Sequence, residues 1–349
     1  MNDNSYYLPA EWAEQQCVQL TWPHQDTDWL PILPEITHTY VEMAIEIARR
    51  EPLLIVAPRP EDALEAIRKQ AGNEVMSHIK TFECPTDDTW ARDHAFLSLL
   101  SHDGTSRRLL DFRFNGWGEK FAAEKDNAIN RHLYEAGMMA GEYEDHTDFV
   151  LEGGSIESDG KGTLFTTTGC LMAPHRNQPL TQDEIEQRLK QWLKADRIVW
   201  IDHGNLTGDD TDGHIDTLVR VAPEDTLLYV GCDTPGDDDY AELHRMEEQL
   251  HTLRTSQGRP FRLLRLPSPR PIIREGERLP ATYANFLVIN GAVLYPTYAQ
   301  PDLDQEAGHT IAQAFPDREI VGIDCRSVVI QHGSLHCCTM QYPKILSKE

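Results

Sequence analysis

Thr163-Leu164-Phe165-Thr166-Thr167, Thr181-Gln182-Asp183-Glu184 and Ile198-Val199-Trp200-Ile201 are the stretches on which the fold turns. The first and last read as strands, because they are short apolar runs rich in β-branched and aromatic residues. Between them, Thr181 and Glu184 have the spacing of a capping box, and Ile185, Leu189 and Trp192 fall on one stripe of the helix that follows. The same order recurs downstream. Ile215 to Val221 reads as a strand, Pro223-Glu224-Asp225 as a turn and Thr226 to Val230 as a second strand; a helix carrying Leu243, Met246, Leu250 and Leu253 and a strand at Phe261 to Leu266 complete the unit. Another copy runs from Asn285 through Val288-Ile289, an Asn290-Gly291 hairpin signal, Ala292 to Tyr295, a helix near Glu306 to Ala314 and a strand at Glu319 to Ile323. Upstream lie Phe96 to Leu100, an Asp103-Gly104 turn, Leu109 to Phe112 and a helix near Asp126 to Ala136. The last copy is split between the ends: Leu335 to Met340, Val18 to Thr21, a helix with Ile36, Tyr40, Met43 and Ile47, and Leu53 to Val56. Five strand-strand-helix-strand modules with the termini sharing one predict an α/β ring of pseudo-fivefold symmetry, against the alternative of an ordinary open α/β sheet.

The 349 residues carry 57 acidic and 32 basic side chains, a formal charge of -25, with 40% hydrophobic residues. That much apolar chain builds a sizeable core and excludes a disordered protein. No apolar run reaches the roughly 18 residues that cross a bilayer. Met1-Asn2-Asp3-Asn4-Ser5 lacks the basic and apolar regions of a signal peptide, so a cytoplasmic location is expected. The 7 cysteines show no paired spacing and are expected as free thiols. An acidic surface repels nucleic acid and anionic lipid, so neither is expected as a partner; it concentrates small cations instead. No linker or low-complexity tract divides the chain, which predicts a single domain over residues 1–349.

Gly208-Asp209-Asp210-Thr211-Asp212-Gly213-His214-Ile215-Asp216 is the densest cluster of chemistry-bearing residues. A solvated acidic loop or a calcium loop is the plain reading, but the terminal bidentate Glu of a calcium loop is absent. If His214 and Asp216 begin a strand they share a face, and an acid beside a histidine favours the imidazolium. In His332-Gly333-Ser334-Leu335-His336-Cys337-Cys338-Thr339, strand alternation would put His336 and Cys338 on one face and Cys337 on the other. Zinc binding and two structural core thiols compete there with a nucleophilic thiol, which needs a cationic neighbour and a base. Thr86 to Asp93 and Leu151-Glu152-Gly153-Gly154-Ser155-Ile156 each place a carboxylate just before a module's first strand, as Asp216 and Cys337 are placed. In a ring these positions converge. A thiol, a histidine and several carboxylates in an acidic pocket suit a planar cation gripped by carboxylate forks, a guanidinium above all.

These segments resemble the agmatine deiminases and bacterial peptidylarginine-deiminase-like proteins of the guanidine-modifying, or pentein, superfamily. The resemblance covers nearly the whole chain, through Leu8-Pro9-Ala10-Glu11-Trp12, Leu20-Thr21-Trp22-Pro23-His24, Asp88 to Asp93, Asp111 to Gly118, Glu152 to Ile156, Gly208 to Asp216, Leu279 to Phe286 and Leu335 to Thr339. It implies a five-module α/β propeller, hydrolysis of a small guanidine (most simply agmatine to N-carbamoylputrescine and ammonia) and no metal or organic cofactor. It implies catalytic roles for Cys337 as nucleophile, His214 as acid and base, Glu152 to fix and polarise His214, and Asp93 and Asp216 to grip the guanidinium. Trp90, Trp117 and Tyr283 would wall the substrate. A homodimer is the family expectation. The pattern departs at Gln331-His332-Gly333-Ser334, Glu14-Gln15-Gln16 and Met340-Gln341. A peptidylarginine deiminase, a guanidine- or polyamine-binding protein and an acidic metal-binding module are the alternatives.

Overall fold

In the computed structural model, which describes residues 5–346, the repeated element order becomes repeated strand pairing. Five of the six sheets among the described residues are each built around a central strand that pairs antiparallel with one partner and parallel with another across a helix; the sixth is the hairpin of Ile272–Arg274 and Glu277–Leu279. Thr163–Thr167 is such a centre, antiparallel to Ile156–Ser158 and parallel to Arg197–Ile201. The connecting helix Gln182–Trp192 starts at the expected capping box, with Thr181 and Glu184 bonding reciprocally. Thr226–Val230 likewise joins Val219–Ala222 to Arg262–Leu266, and Ala292–Thr297 joins Leu287–Ile289 to Glu319–Asp324. Arg107–Arg113 joins Leu97–Ser101 to Glu142–Val150. The split unit is real at the level of pairing: C-terminal Thr339–Pro343 runs antiparallel to Gln15–Thr21, which lies parallel to Leu53–Ala57 beyond helix Leu33–Ala48.

Three departures from the sequence reading have physical causes. Helix Pro60–Ala71 and strand Ile79–Glu83 extend the split unit, although Pro60 at the helix start and Gly72 after its end are ordinary boundary signals. Glu142–Val150 escaped notice because only its last two residues are buried, so polar side chains dominate it. The strands expected from Ile215 and Leu335 begin later, at Val219 and Thr339, behind single 3-10 turns at Ile215–Thr217 and His336–Cys338. An apolar run does not distinguish a strand from a buried turn. Hydroxyls close these turns: Thr217 Oγ1 donates to the His214 carbonyl (2.8 Å), and Thr339 Oγ1 to that of His336 (3.0 Å).

The main apolar cluster contains the fully buried helix face Ile36, Tyr40, Met43 and Ile47, together with Phe286, Leu287, Leu294 and Cys338. No helix among the described residues is long and apolar enough to cross a membrane. Met1 to Asn4, part of the segment compared with a signal peptide, lie outside the described residues.

Candidate active site

The short turns ahead of the sheets' first strands meet at one place, and each delivers a polar group. Helix Ala91–His94 carries Asp93; the turn Gly153–Ser155 follows Glu152 and is closed by Ser155 Oγ on the Glu152 carbonyl at 2.6 Å. The turns at 215–217 and 336–338 carry Asp216 and Cys337. Asn285, ahead of Leu287–Ile289, is the contribution from the remaining sheet.

Cys337 is buried, with Sγ 3.4 Å from Asn285 Oδ1 and 3.9 Å from Asp216 Oδ2. Its backbone N–H donates to the same Asn285 oxygen at 3.2 Å. Burial first, then the charges of Asp216 and Asp93, push the thiol well above its ordinary range. A cation placed between those carboxylates would reverse their effect. Asp216 Oδ2 is taken by His336 Nδ1 at 2.7 Å, whereas Oδ1 is buried without a partner.

Asp93 accepts from the Gly154 N–H through Oδ1 (3.0 Å) and from Trp117 Nε1 through Oδ2 (2.9 Å), and His214 Nδ1 stands 3.6 Å from Oδ1. Gly154 is required by this approach: a Cβ there would lie 2.6 Å from His214 Nδ1 and 2.8 Å from Asp93 Oδ1. Burial, offset partly by His214, raises Asp93 to about 6. Burial opposes charge on His214, but Asp93, with Glu152 after it, outweighs it and holds the imidazole protonated well above its usual range, while burial pushes the neighbouring Cys170 thiol up and leaves it neutral. Both ring nitrogens of His214 lack hydrogen-bond partners, so the proton is available to an incoming group.

Glu152 is arranged differently from its expected role. Its Oε1 accepts from Arg176 Nε at 3.0 Å and its Oε2 is unpartnered; it makes no hydrogen bond to His214. One Glu152 oxygen, the Cys170 sulfur and one His214 nitrogen nevertheless lie within 4.8 Å of one another. Arg176 brings a second positive charge beside the imidazolium and also donates to Asp212 Oδ2 (2.6 Å) and the Thr211 carbonyl (2.9 Å). The acidic loop is thus spent on its own architecture: Asp209 caps Thr211 and Gly213, and Asp212 pairs with Arg176 and Lys120.

A cavity of about 390 Å³ leads to Cys337. Buried Asp93 and Cys337 line it with Trp90 and Trp117, while Asp28, Asp88, Asp210 and Arg274 line its more exposed parts. The indoles of Trp90 and Trp117 meet edge to face at 6.3 Å. Gly333 makes room for this wall, since a Cβ there would fall 2.1 Å from the Trp90 ring. Trp117 has φ 57, a conformation non-glycine residues seldom adopt, and its indole N–H is spent on Asp93.

Tyr283 is not part of this wall. Its ring is fully buried, edge-on to Tyr298 at 5.5 Å, and its hydroxyl donates to Asp304 Oδ1 at 2.7 Å, toward helix Pro301–Ala314. The assignment of His336 to the face opposite Cys337 is also corrected: in a 3-10 turn side chains do not alternate, and both residues reach Asp216. Cys338 points away, with Sγ donating to the Ser334 carbonyl at 3.4 Å. Asp93 and Arg92 are not an ion pair, for Arg92 Nη2 donates to Gln341 Oε1 at 2.7 Å. Asn285, Arg176, Cys170 and His336 were missed as site residues. A Ser or Thr three positions after Glu152, His214 and His336 is the signal that would have revealed buried turns there.

The α/β fold, with a buried thiol facing paired carboxylates, places the protein among the guanidine-modifying hydrolases, enzymes that act on the C–N bonds of linear amidines. It belongs to the Porphyromonas-type peptidyl-arginine deiminase family, whose model matches residues 7–343. Among its relatives, the agmatine deiminase of Stutzerimonas stutzeri is 31% identical, the alignment covering 97% of this chain and 96% of that protein. A Porphyromonas gingivalis protein with the provisional name arginine deiminase superposes with a TM-score of 0.90 at 47% identity, covering 97% of this chain and 98% of its own. A cysteine-to-serine variant of the C. jejuni agmatine deiminase, solved with substrate bound, gives a TM-score of 0.89 at 35% identity, with 98% and 97% covered.

Proposed function

We propose that the protein hydrolyses agmatine to N-carbamoylputrescine and ammonia through a covalent thiouronium on Cys337. The observation that carries this reading is the cavity, which has Cys337 and Asp93 at its buried end and Asp28, Asp88 and Asp210 along its walls. A guanidinium is planar and bidentate, so Asp93 and the free Oδ1 of Asp216 grip its nitrogens and turn its carbon toward Sγ. Its charge offsets the carboxylates that raise the thiol, whose proton passes to solvent as the cation binds. Sγ then adds to the guanidinium carbon, giving a tetrahedral adduct. His214 donates its proton to an amino group, the C–N bond breaks and ammonia leaves the S-alkylthiouronium. Neutral His214 next takes a proton from water; the hydroxide adds to the same carbon, and collapse expels the thiolate, gives up the hydroxyl proton to solvent and releases the ureido product. Asp93 first, then Glu152, stabilise the imidazolium electrostatically. In this reading residues 1–349 are one deiminase domain, and the five sheets are the blades of a propeller whose axial turns form the site.

A second reading, hydrolysis of peptidyl or free arginine, is favoured by Arg274, a cation in the cavity wall suited to a carboxylate or a backbone carbonyl. The deciding assay is release of ammonia and ureido product from agmatine, arginine and a blocked arginine peptide under chelating conditions. Selective turnover of agmatine is expected; preference for the peptide would overturn the assignment. Asp28→Asn should raise KM for agmatine by about fivefold with little change in kcat, the worth of one partly exposed charge contact. An unchanged KM would remove Asp28 from the amine's surroundings.

The pH profile supplies a further test. Asp93, raised to about 6, holds a cation only when ionised, so kcat/KM should fall as pH drops through about 6. The Trp117 N–H favours the carboxylate, so Trp117→Phe should move that acid limb upward. A limb that stays in place in Trp117→Phe would mean another group controls it.

A further inference from the structure

Beneath the nucleophile lies a buried charged layer of which the reaction above uses only Asp216. His336 stands in it between two carboxylates, with Nδ1 2.7 Å from Asp216 Oδ2 and Nε2 2.7 Å from Glu11 Oε2. A neutral imidazole has one N–H to give, so short contacts to two ionised carboxylates require protons on both nitrogens. The layer sets Glu11, Glu157 and Asp216 beside Arg92, Arg220 and His336, all buried or nearly so. Arg220 binds Glu157 Oε1 (2.6 Å) and Glu11 Oε2 (2.7 Å), and its 3.1 Å approach to His336 Nε2 is then two donors sharing the Glu11 oxygen. Glu11 is itself pinned, its Oε1 accepting from the Val288 N–H at 2.7 Å.

We infer that His336 is the positioning residue for Asp216: it occupies Oδ2, locks the carboxylate's rotation against the Glu11–Arg220 layer, and so presents the bare Oδ1 to the substrate's guanidinium. The inference rests on the proposed grip of Asp216 on a guanidinium. The geometry makes the arrangement directional. Oδ2, bound by His336, is also the oxygen 3.9 Å from Sγ, so the oxygen that orients the carboxylate lies beside the nucleophile while its twin, without a protein partner, meets the cation. Losing the imidazolium leaves a carboxylate free to rotate or to turn toward Arg220, and substrate binding suffers before chemistry does.

Three variants separate positioning from support of the fold. His336→Leu keeps comparable volume and offers no donor, His336→Asn retains a donor near the Nδ1 position facing Asp216, and His336→Gln reaches toward Glu11 instead. Steady-state kinetics with agmatine are expected to show KM raised about 30-fold in His336→Leu and kcat reduced less; His336→Asn should recover most of the loss and His336→Gln little, as expected for one charge-assisted hydrogen bond. Kinetics of His336→Leu within twofold of wild type would overturn the inference, as would rescue by Gln equal to that by Asn. The ¹⁵N spectrum of His336 is a readout that needs no substrate: two protonated ring nitrogens are expected at the pH of the assay, and one protonated nitrogen overturns the proposal. Absence of wild-type turnover on all three guanidines would instead count against the proposed function, a result the nitrogen spectrum is independent of.

Discussion

Cys337→Ala protein is expected to release neither ammonia nor ureido product, turnover falling by about 10⁴-fold or more, because a covalent route has no substitute for its nucleophile. The choice of thiol is structural. Of the free cysteines Cys17, Cys84, Cys170, Cys232, Cys325, Cys337 and Cys338, Cys337 alone lines the cavity of about 390 Å³. Its neighbour Cys338 is equally buried but donates to the Ser334 carbonyl, inside the main apolar cluster. Cys338→Ser should therefore retain activity within about threefold, with its cost appearing in stability as a polar group enters the core. Ammonia release measured in parallel for the two variants decides the matter. Equal losses would show the wrong cysteine has been named, and full activity of Cys337→Ala would end the covalent mechanism. Thermal unfolding of Cys337→Ala should stay near wild type, since the side-chain contacts of Sγ, to Asn285 and Asp216, are long.

The second large effect is expected at His214. His214→Gln should lower kcat by about 10²–10⁴-fold, the usual worth of a positioned general acid and base. Protonation of the leaving amine comes first, and the fully buried imidazole is kept charged for that step by Asp93 and Glu152. Without it the tetrahedral adduct returns to substrate, so intact-mass measurement during turnover should find the protein unmodified. Accumulated thiouronium would restrict His214 to the hydrolytic step, and undiminished kcat would remove it from the mechanism. Arg176 bears on the same result, because it holds Glu152 Oε1 beside this imidazole.

Much of this architecture was legible because it rests on local signals. The Thr181–Glu184 capping box, the Asn290-Gly291 turn and the helix stripe of Ile36, Tyr40, Met43 and Ile47 each follow from short-range stereochemistry, and each appears where it was expected. Asp93, Glu152, Asp216 and Cys337 stood out because carboxylates and a thiol recur just ahead of first strands. Strand alternation then failed at Cys337, where a 3-10 turn turns both Cys337 and His336 toward Asp216. Tyr283 shows the opposite error. An aromatic residue in a matching motif was read as a wall of the site, yet its hydroxyl finds Asp304 and its ring stays in the core.

Residue order by itself determined the repeating α/β unit, the sharing of one unit by the two ends, the acidic character and the principal reactive groups, since these depend on periodicity, composition and neighbours along the chain. Tertiary structure alone decided which oxygen of Asp216 stays bare, that Glu152 answers to Arg176, that Asn285 cradles the thiol, and that Glu11 reaches His336 across 325 positions of sequence. The physical reason is range. A cap or a turn is settled within a few residues, whereas a buried charge is settled by whichever partner the whole fold brings within hydrogen-bonding distance.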